Sequence, residues 1–296
     1  MIEGQEGLSW ERWRRICTDV ESLGFASLRR SDHLISLMRA PERSCVECWT
    51  SLALAAEWTK RIEFGPMVSP MTFRFPSVLA KLAAAVDALS GGRLLLGVGA
   101  GWNENEHQVF DIPFLTQRER FDRLESGIAT LRDIWEKTNP KPARNPIPLL
   151  IGGRGMKRSI PLAAREAAEW NLSALDPEMF RERRAALDQS CRDFGRDPAS
   201  IKRSVMTTYI IGRNRAELRD RAAQLGALLP RLQGLDTDEV LARTRQTAFV
   251  GTPGEIAEHM RQFANLGVDL FMLQHFLLDD GDALRLLAEE VIPAVA

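Results

Sequence analysis

Lysine is scarce in this chain. Only 6 of its 39 basic residues are lysine and the other 33 are arginine, a skew that suggests a GC-rich genome and says little about mechanism. Charge of one sign is missing too: the formal net charge is −1, which removes the electrostatic case for nucleic acid or a membrane surface as partner. No apolar run approaches the roughly 18 residues that a membrane-crossing helix needs. Met1 to Ser9 lacks the basic-then-apolar pattern of a secretory signal, so the cytoplasm is the expected location. Cysteine is limited to Cys17, Cys45, Cys48 and Cys191. Cys45 and Cys48 have the spacing of a metal or redox pair, but no second pair accompanies them. They open an apolar-periodic stretch through Trp49, Leu52, Ala56 and Trp58, and read as ordinary helix residues; no metal is expected. Metalloprotease, nucleophile-elbow and phosphate-loop signatures are lacking as well.

What remains is a long alternation of helical and strand patterns. Ser9 caps a helix whose apolar positions Trp13, Ile16, Cys17, Val20 and Leu23 recur at helical spacing until Gly24. A strand over 25–28 and a helix over 46–59 come next, then a strand over 62–68. Pro76 opens a third helix, which leads through Gly91 and Gly92 to an apolar strand over 94–98. The second half repeats the pattern, with strands near 149–151, 169–172, 205–211 and 270–273. About eight strands alternate with helices, and no composition break marks a second domain. The 296 residues, 45% of them hydrophobic, suit a (β/α)8 TIM barrel forming one domain over 1–296. A doubly wound open sheet is the runner-up, because alternation alone does not say whether a sheet closes. The first strand is shortened, since only Met1 to Gln5 precede the first helix.

Chemistry concentrates at the carboxyl ends of these strands, where α/β enzymes bind ligands. The 94–98 strand runs into Gly97, Gly99 and Gly101, whose backbone lets a flat ligand approach, and then into Trp102 and the polar stretch Asn103 to His107. Trp102 stands where a dinucleotide fingerprint needs its third glycine, so that reading fails. Asp32 and His33 come after the second strand. A histidine there can transfer protons near neutral pH and an adjacent carboxylate can orient it, although a capped loop with a surface histidine gives the same letters. Gly152, Gly153, Arg154 and Gly155 lie at a strand-to-helix junction, where backbone N–H groups can cradle a phosphate or simply make a tight turn. His259 reads as structural, His107 as a weaker candidate, and Gln274 with His275 as pocket lining or packing.

Gly97 to Trp102, Glu106-His107 and Phe110 to Phe114 together resemble the signature of the bacterial luciferase-like flavin and deazaflavin oxidoreductases. Ser31-Asp32-His33, Thr72-Phe73-Arg74, Ser90 to Arg93, Glu119-Arg120-Phe121, Ile151 to Gly153 and Trp170-Asn171 recur in the same order. The resemblance spans nearly the whole chain and is closest to the coenzyme F-420-dependent branch. It implies the barrel already inferred, usually as a homodimer acting on a small-molecule substrate. It also implies a hydride transfer between F-420 and that substrate, with Asp32 and His33 over the deazaflavin ring and His33 as proton donor or anion stabiliser. Met67 and Val68 fall where the family often has a non-prolyl cis peptide pressed against the ring. Gly99 and Trp102 would border the pocket, and Gly152, Gly153, Arg154 and Ser173 would hold the cofactor phosphate. Arg118 stands where some flavin-binding relatives place a phosphate arginine, but a helix-face ion pair explains it equally well. Two alternatives accompany this reading: an FMN-dependent monooxygenase on the same fold, and a cofactor-binding barrel without turnover.

Two segments depart from the family pattern. Residues 137–147 carry three prolines and lack the hairpin many relatives have before the fifth strand; the expectation is a more open mouth on the Gly152 side. The irregular stretch 228–248, with Leu228, Leu229, Leu232 and Leu235, is expected to act as a substitute lid.

Overall fold

In the computed structural model, residues 1–295 are described, apart from 39 and 41. The strands are β1 (Ser27–Arg30), β2 (Glu63–Pro66), β3 (Ser69–Pro70), β4 (Leu96–Gly99), β5 (Leu149–Gly152), β6 (Glu169–Leu172), β7 (Lys202–Ile211), β8 (Phe249–Gly251) and β9 (Leu270–Gln274). All pairings are parallel: β1 with β2, β3 through β7 in sequence, and β9 with β7. An isolated bridge from Phe64 to Leu94 joins β2 to the β4 side. The ring closes through Met1 and Ile2: Ile2 N–H donates to the Arg29 carbonyl, and His275 N–H donates to the Met1 carbonyl. The result is the expected (β/α)8 barrel with a shortened first strand.

Helices cover the outside: α1 (Trp10–Ser22), α2 (Cys48–Trp58), α3 (Pro76–Ser90), α4 (Glu104–Val109), α5 (Gln117–Lys137), α6 (Ser159–Glu166), α7 (Pro177–Asp193), α8 (Arg215–Leu228), α9 (Thr237–Arg245) and α10 (Pro253–Asn265), with a C-terminal helical stretch beyond Gly281. Their limits reflect local chemistry. Ser9 Oγ accepts from Arg12 N–H at the start of α1, whose buried positions are Trp13, Ile16, Cys17 and Val20. Thr116 with Glu119, and Thr252 with Glu255, form capping boxes at α5 and α10. Full burial of each large apolar side chain contributes about 1.5–3 kcal/mol, so one such face outweighs any cap.

Inside the barrel, Met67, Leu95, Leu150 and Met272 pack together, joined by Val68 and Met206. This layer is the floor of the mouth formed by the strands' carboxyl ends. The peptide between Met67 and Val68 is cis, as the family resemblance led us to expect, and it separates β2 from β3. Two neighbours make room for it: a Cβ on Gly97 would stand 2.2 Å from the Pro66 carbonyl oxygen, and one on Gly99 would stand 2.6 Å from Val68 Cγ2.

One expectation is corrected, and a second is narrowed. The 137–147 segment joins a helix to the next strand, so it lies at the barrel's amino-terminal end, opposite the mouth. There Arg144 N–H donates to Asp87 Oδ2 and Leu96 N–H to the Pro148 carbonyl. Its missing hairpin therefore does not open the mouth. The 228–248 stretch does lie at the carboxyl end, since it packs with Met38 and Phe276 from the loops after β1 and β9. Its leucines, however, are used among themselves: Leu229 and Leu232 are buried with Leu225, Val240 and Leu241, with Leu235 packed against them. The chain then enters β8, a strand the sequence did not announce, which pairs with the far end of β7.

Candidate active site

Three consecutive loops build one wall of the mouth. The loop after β1 carries Asp32 and His33, the loop after β3 carries Thr72 and Arg74, and the loop after β4 carries Trp102 and the short helix α4. His33 Nδ1 lies 2.7 Å from Glu106 Oε2, and the other oxygen of Glu106 accepts the Leu34 N–H, also at 2.7 Å. Glu106 is fully buried, so both oxygens need such partners. Because the carboxylate accepts, Nδ1 carries a hydrogen and Nε2 is the nitrogen free to exchange a proton with a ligand. Burial alone would lower the His33 pKa. The hydrogen bond and charge of Glu106, with Glu3 and Asp32 behind it, overcome this and hold it above its ordinary value. The indole of Trp102, 66% exposed at the rim, meets the imidazole edge-on with centroids 5.9 Å apart.

Asp32 faces the other way. Its carboxylate accepts both terminal nitrogens of Arg74, at 2.7 and 3.1 Å, and the Ser69 hydroxyl at 2.6 Å. The charge that orients His33 directly is therefore Glu106, 73 positions along the chain. Glu106 stood in the family signature without a role. The sequence signal that singles it out is Asn103 three residues earlier, whose side chain caps α4 and accepts the Glu106 N–H.

Across the mouth the arrangement is looser. Gly153 takes φ +131°, and its Cβ would collide with Ser159 at 2.9 Å, so glycine is required there. Its N–H donates to the Asn171 carbonyl at 3.1 Å and is spent on the β5–β6 ladder. Gly152 would meet only ordinary contact. What this loop offers an anion is chiefly the exposed Arg154 and Lys157. Arg158 beside them is taken by Asp122 and Glu125. Ser173 opens onto a cavity of about 520 Å³ at the ends of β6, β7 and β9, lined also by Thr207, Thr208, Arg231, Gln246 and Gln274.

The remaining candidates fall outside the mouth chemistry. His259 packs against Phe249 and Phe263. His275 is buried with the Tyr209 hydroxyl 2.6 Å from its Nδ1, and burial lowers its pKa to about 4. Arg118 is exposed and faces Asp122 one turn along α5. The cysteines are free, and no group of three or more metal-ligating side chains occurs among the described residues.

Comparison with known proteins fits this geometry. The chain is 27% identical to an F420-dependent glucose-6-phosphate dehydrogenase of Intrasporangium calvum, over 93% of this chain and 92% of that one. It is 25% identical to an FMNH(2)-dependent dimethylsulfone monooxygenase of Pseudomonas putida, over 67% and 65% of the two chains. A solved F420-dependent secondary alcohol dehydrogenase, in complex with an F420-acetone adduct, shares the fold: the TM-score is 0.79 at 20% identity, over 96% and 94% of the two chains. Residues 2–270 match the luciferase-like monooxygenase family, and the chain belongs to it.

Proposed function

We propose that this protein is a coenzyme F-420-dependent oxidoreductase that moves a hydride between the deazaflavin and a small organic substrate. The observation that carries the reading is the His33–Glu106 pair, aimed into a barrel mouth whose floor is the Met67–Val68 bulge and its apolar neighbours. The F420-dependent relative, matched over nearly the full length of both chains, supports the choice of cofactor.

The residues present fit such a group. Met67 and Val68 offer an apolar, closely backed surface for a flat ring, which the absence of side chains at Gly97 and Gly99 permits. Arg154 and Lys157, with Ser173 across the gap, suit an anionic tail. When bound, the deazaflavin supplies the hydride chemistry; the protein supplies orientation and electrostatics. His33 Nε2 gives a proton to the substrate oxygen during reduction and takes it back during oxidation. Glu106 raises the His33 pKa and so favours the charged imidazole, which suits a developing alkoxide. Asp32 acts at one remove, by holding the His33 loop to the segment after the bulge. Trp102 narrows the rim and excludes water.

Equilibrium binding of F-420 and of FMN, followed by turnover assays on alcohols, aldehydes and ketones, tests this. Tight FMN binding with F-420 ignored would replace the reading with an FMN-dependent monooxygenase. F-420 binding without turnover on any of these would favour a binding protein.

We also propose that the protein works as one barrel domain over 1–296, in the cytoplasm, and as a homodimer. Supporting the dimer, α3 presents Val78, Leu82 and Leu89 at helical spacing, below Phe75 at its cap. Phe75 is 74% exposed, and Val78 and Leu89 about half so. Val78→Glu with Leu89→Glu should convert a dimer to a monomer in analytical ultracentrifugation. A wild-type protein that sediments as a monomer ends the proposal. Among the described residues, no helix is long and apolar enough to cross a membrane.

A further inference from the structure

We propose that His107, which the chemistry of His33 does not use, is a positioning residue that sets the Glu106–His33 pair through Thr72. The proposal rests on the reading of His33 as the proton-transferring group. It begins with the two hydrogen bonds of the His107 ring. His107 Nδ1 lies 2.7 Å from the Asn103 carbonyl oxygen, and a carbonyl only accepts, so Nδ1 carries the hydrogen. Nε2 is hydrogen-bonded to the Thr72 hydroxyl 2.9 Å away. His107 is thus used as a two-ended strut inside α4. It is fully buried and packed between Phe73 and Phe114 at centroid distances of 5.2 and 5.0 Å.

The strut closes a circuit. From His33 the path runs through the ring contact to Glu106, along α4 to His107, and across to Thr72. Two residues further, Arg74 clamps Asp32, and Asp32 is the chain neighbour of His33. Ser69, directly after the bulge, joins the same carboxylate. The loops after β1, β3 and β4 are therefore tied pairwise, and the Thr72–His107 bond is the only side-chain hydrogen bond among the described residues that links the 69–74 segment to α4. Gly101 leaves room for the bond: a Cβ there would stand 2.5 Å from Thr72 Oγ1. Without the strut, a two-turn helix held by one Asn cap would have to aim a buried carboxylate unaided.

A residue that only packs and one that positions predict different results. The test is the titration of His33, monitored by NMR in ring-labelled protein without cofactor; only His33, His107, His259 and His275 contribute signals. The charged and titratable groups facing His33 are Glu106, Glu3 and Asp32, with Cys45 donating to its carbonyl. In Thr72→Val and His107→Phe, the His33 pKa should fall toward its ordinary value as Glu106 loses its aim. With F-420 and a substrate in hand, kcat should drop on the order of 10- to 100-fold with KM nearly unchanged. Thr72→Ser, which restores the hydroxyl, should recover both. A folded Thr72→Val whose His33 titrates as in the wild type overturns the proposal, whatever happens to its melting temperature. Thr72→Val keeps the test available if His107→Phe does not fold. Because the titration needs no cofactor, its result stands apart from any failure of the F-420 reading.

Discussion

The two sides of the mouth are built on opposite principles. On the His33 side, polar groups are buried and matched: Glu106 has both oxygens engaged, and Asp32 accepts three donors. On the Gly152 side, the cations Arg154 and Lys157 stand in solvent, and the Gly153 amide is spent on the neighbouring strand. A proton-transferring group gains from preorganisation, because a small misplacement is costly in rate. A site for a charged tail gains less, since long flexible cations adapt to it. The contrast shows what the buried polar groups of the His33 wall are used for: aiming one imidazole.

The largest expected effect strikes the rigid wall. Glu106→Gln should lower kcat by about 10²- to 10⁴-fold, the range of a positioned general acid. It should also move the pH profile. The His33 pKa is raised by Glu106, so a step needing the imidazolium is complete below that pKa and lost as pH rises through it. Removing the carboxylate charge lowers the pKa, and the alkaline limb should shift to lower pH; a fixed limb would uncouple the pair from turnover. Next in size is Gly97→Ala, which places a methyl 2.2 Å from the Pro66 carbonyl and must push the bulge away from β4. A loss of about 1–3 kcal/mol in denaturant unfolding is expected, as for other overpacked sites; wild-type stability would mean that the wall yields more easily than its close contacts imply.

The open wall should respond differently. Arg154→Gln with Lys157→Gln should weaken F-420 about tenfold, as expected for lost charge-assisted contacts, while kcat and melting temperature hold. A fall in kcat instead would mean that this side, too, shapes the chemistry. The smallest effect belongs to Arg118→Ala, where neither cofactor affinity nor melting temperature should change. A clear loss of affinity would return Arg118 to the phosphate-binding role that its helix-face pairing with Asp122 argues against.

Much of this was legible in the letters. The α1 face Trp13, Ile16, Cys17 and Val20 is buried as its spacing requires, and Ser9 caps its start as read from the sequence. Helix spacing, capping residues and glycine stops are local signals, and in this chain local preference and tertiary packing agree. The position of His33 after a barrel strand was legible from the alternation of strands and helices, whereas the cis peptide at Met67–Val68 was legible only through resemblance to a family, because no composition or periodicity carries it.

Other features were decided by the tertiary structure alone. Asp32 and His33 are adjacent in sequence, yet side chains leaving a strand in succession diverge, so one reaches Arg74 and the other Glu106. Once the sheet closes into a barrel, a segment that runs from helix to strand must lie at the amino-terminal face, and it was closure that the letters of 137–147 left open. The leucines of 228–248 carry no mark of what they cover until α8 and α9 fold against each other and bury them. In each case the deciding partner lies tens of residues away, and only closing the barrel brings it within hydrogen-bond or van der Waals reach.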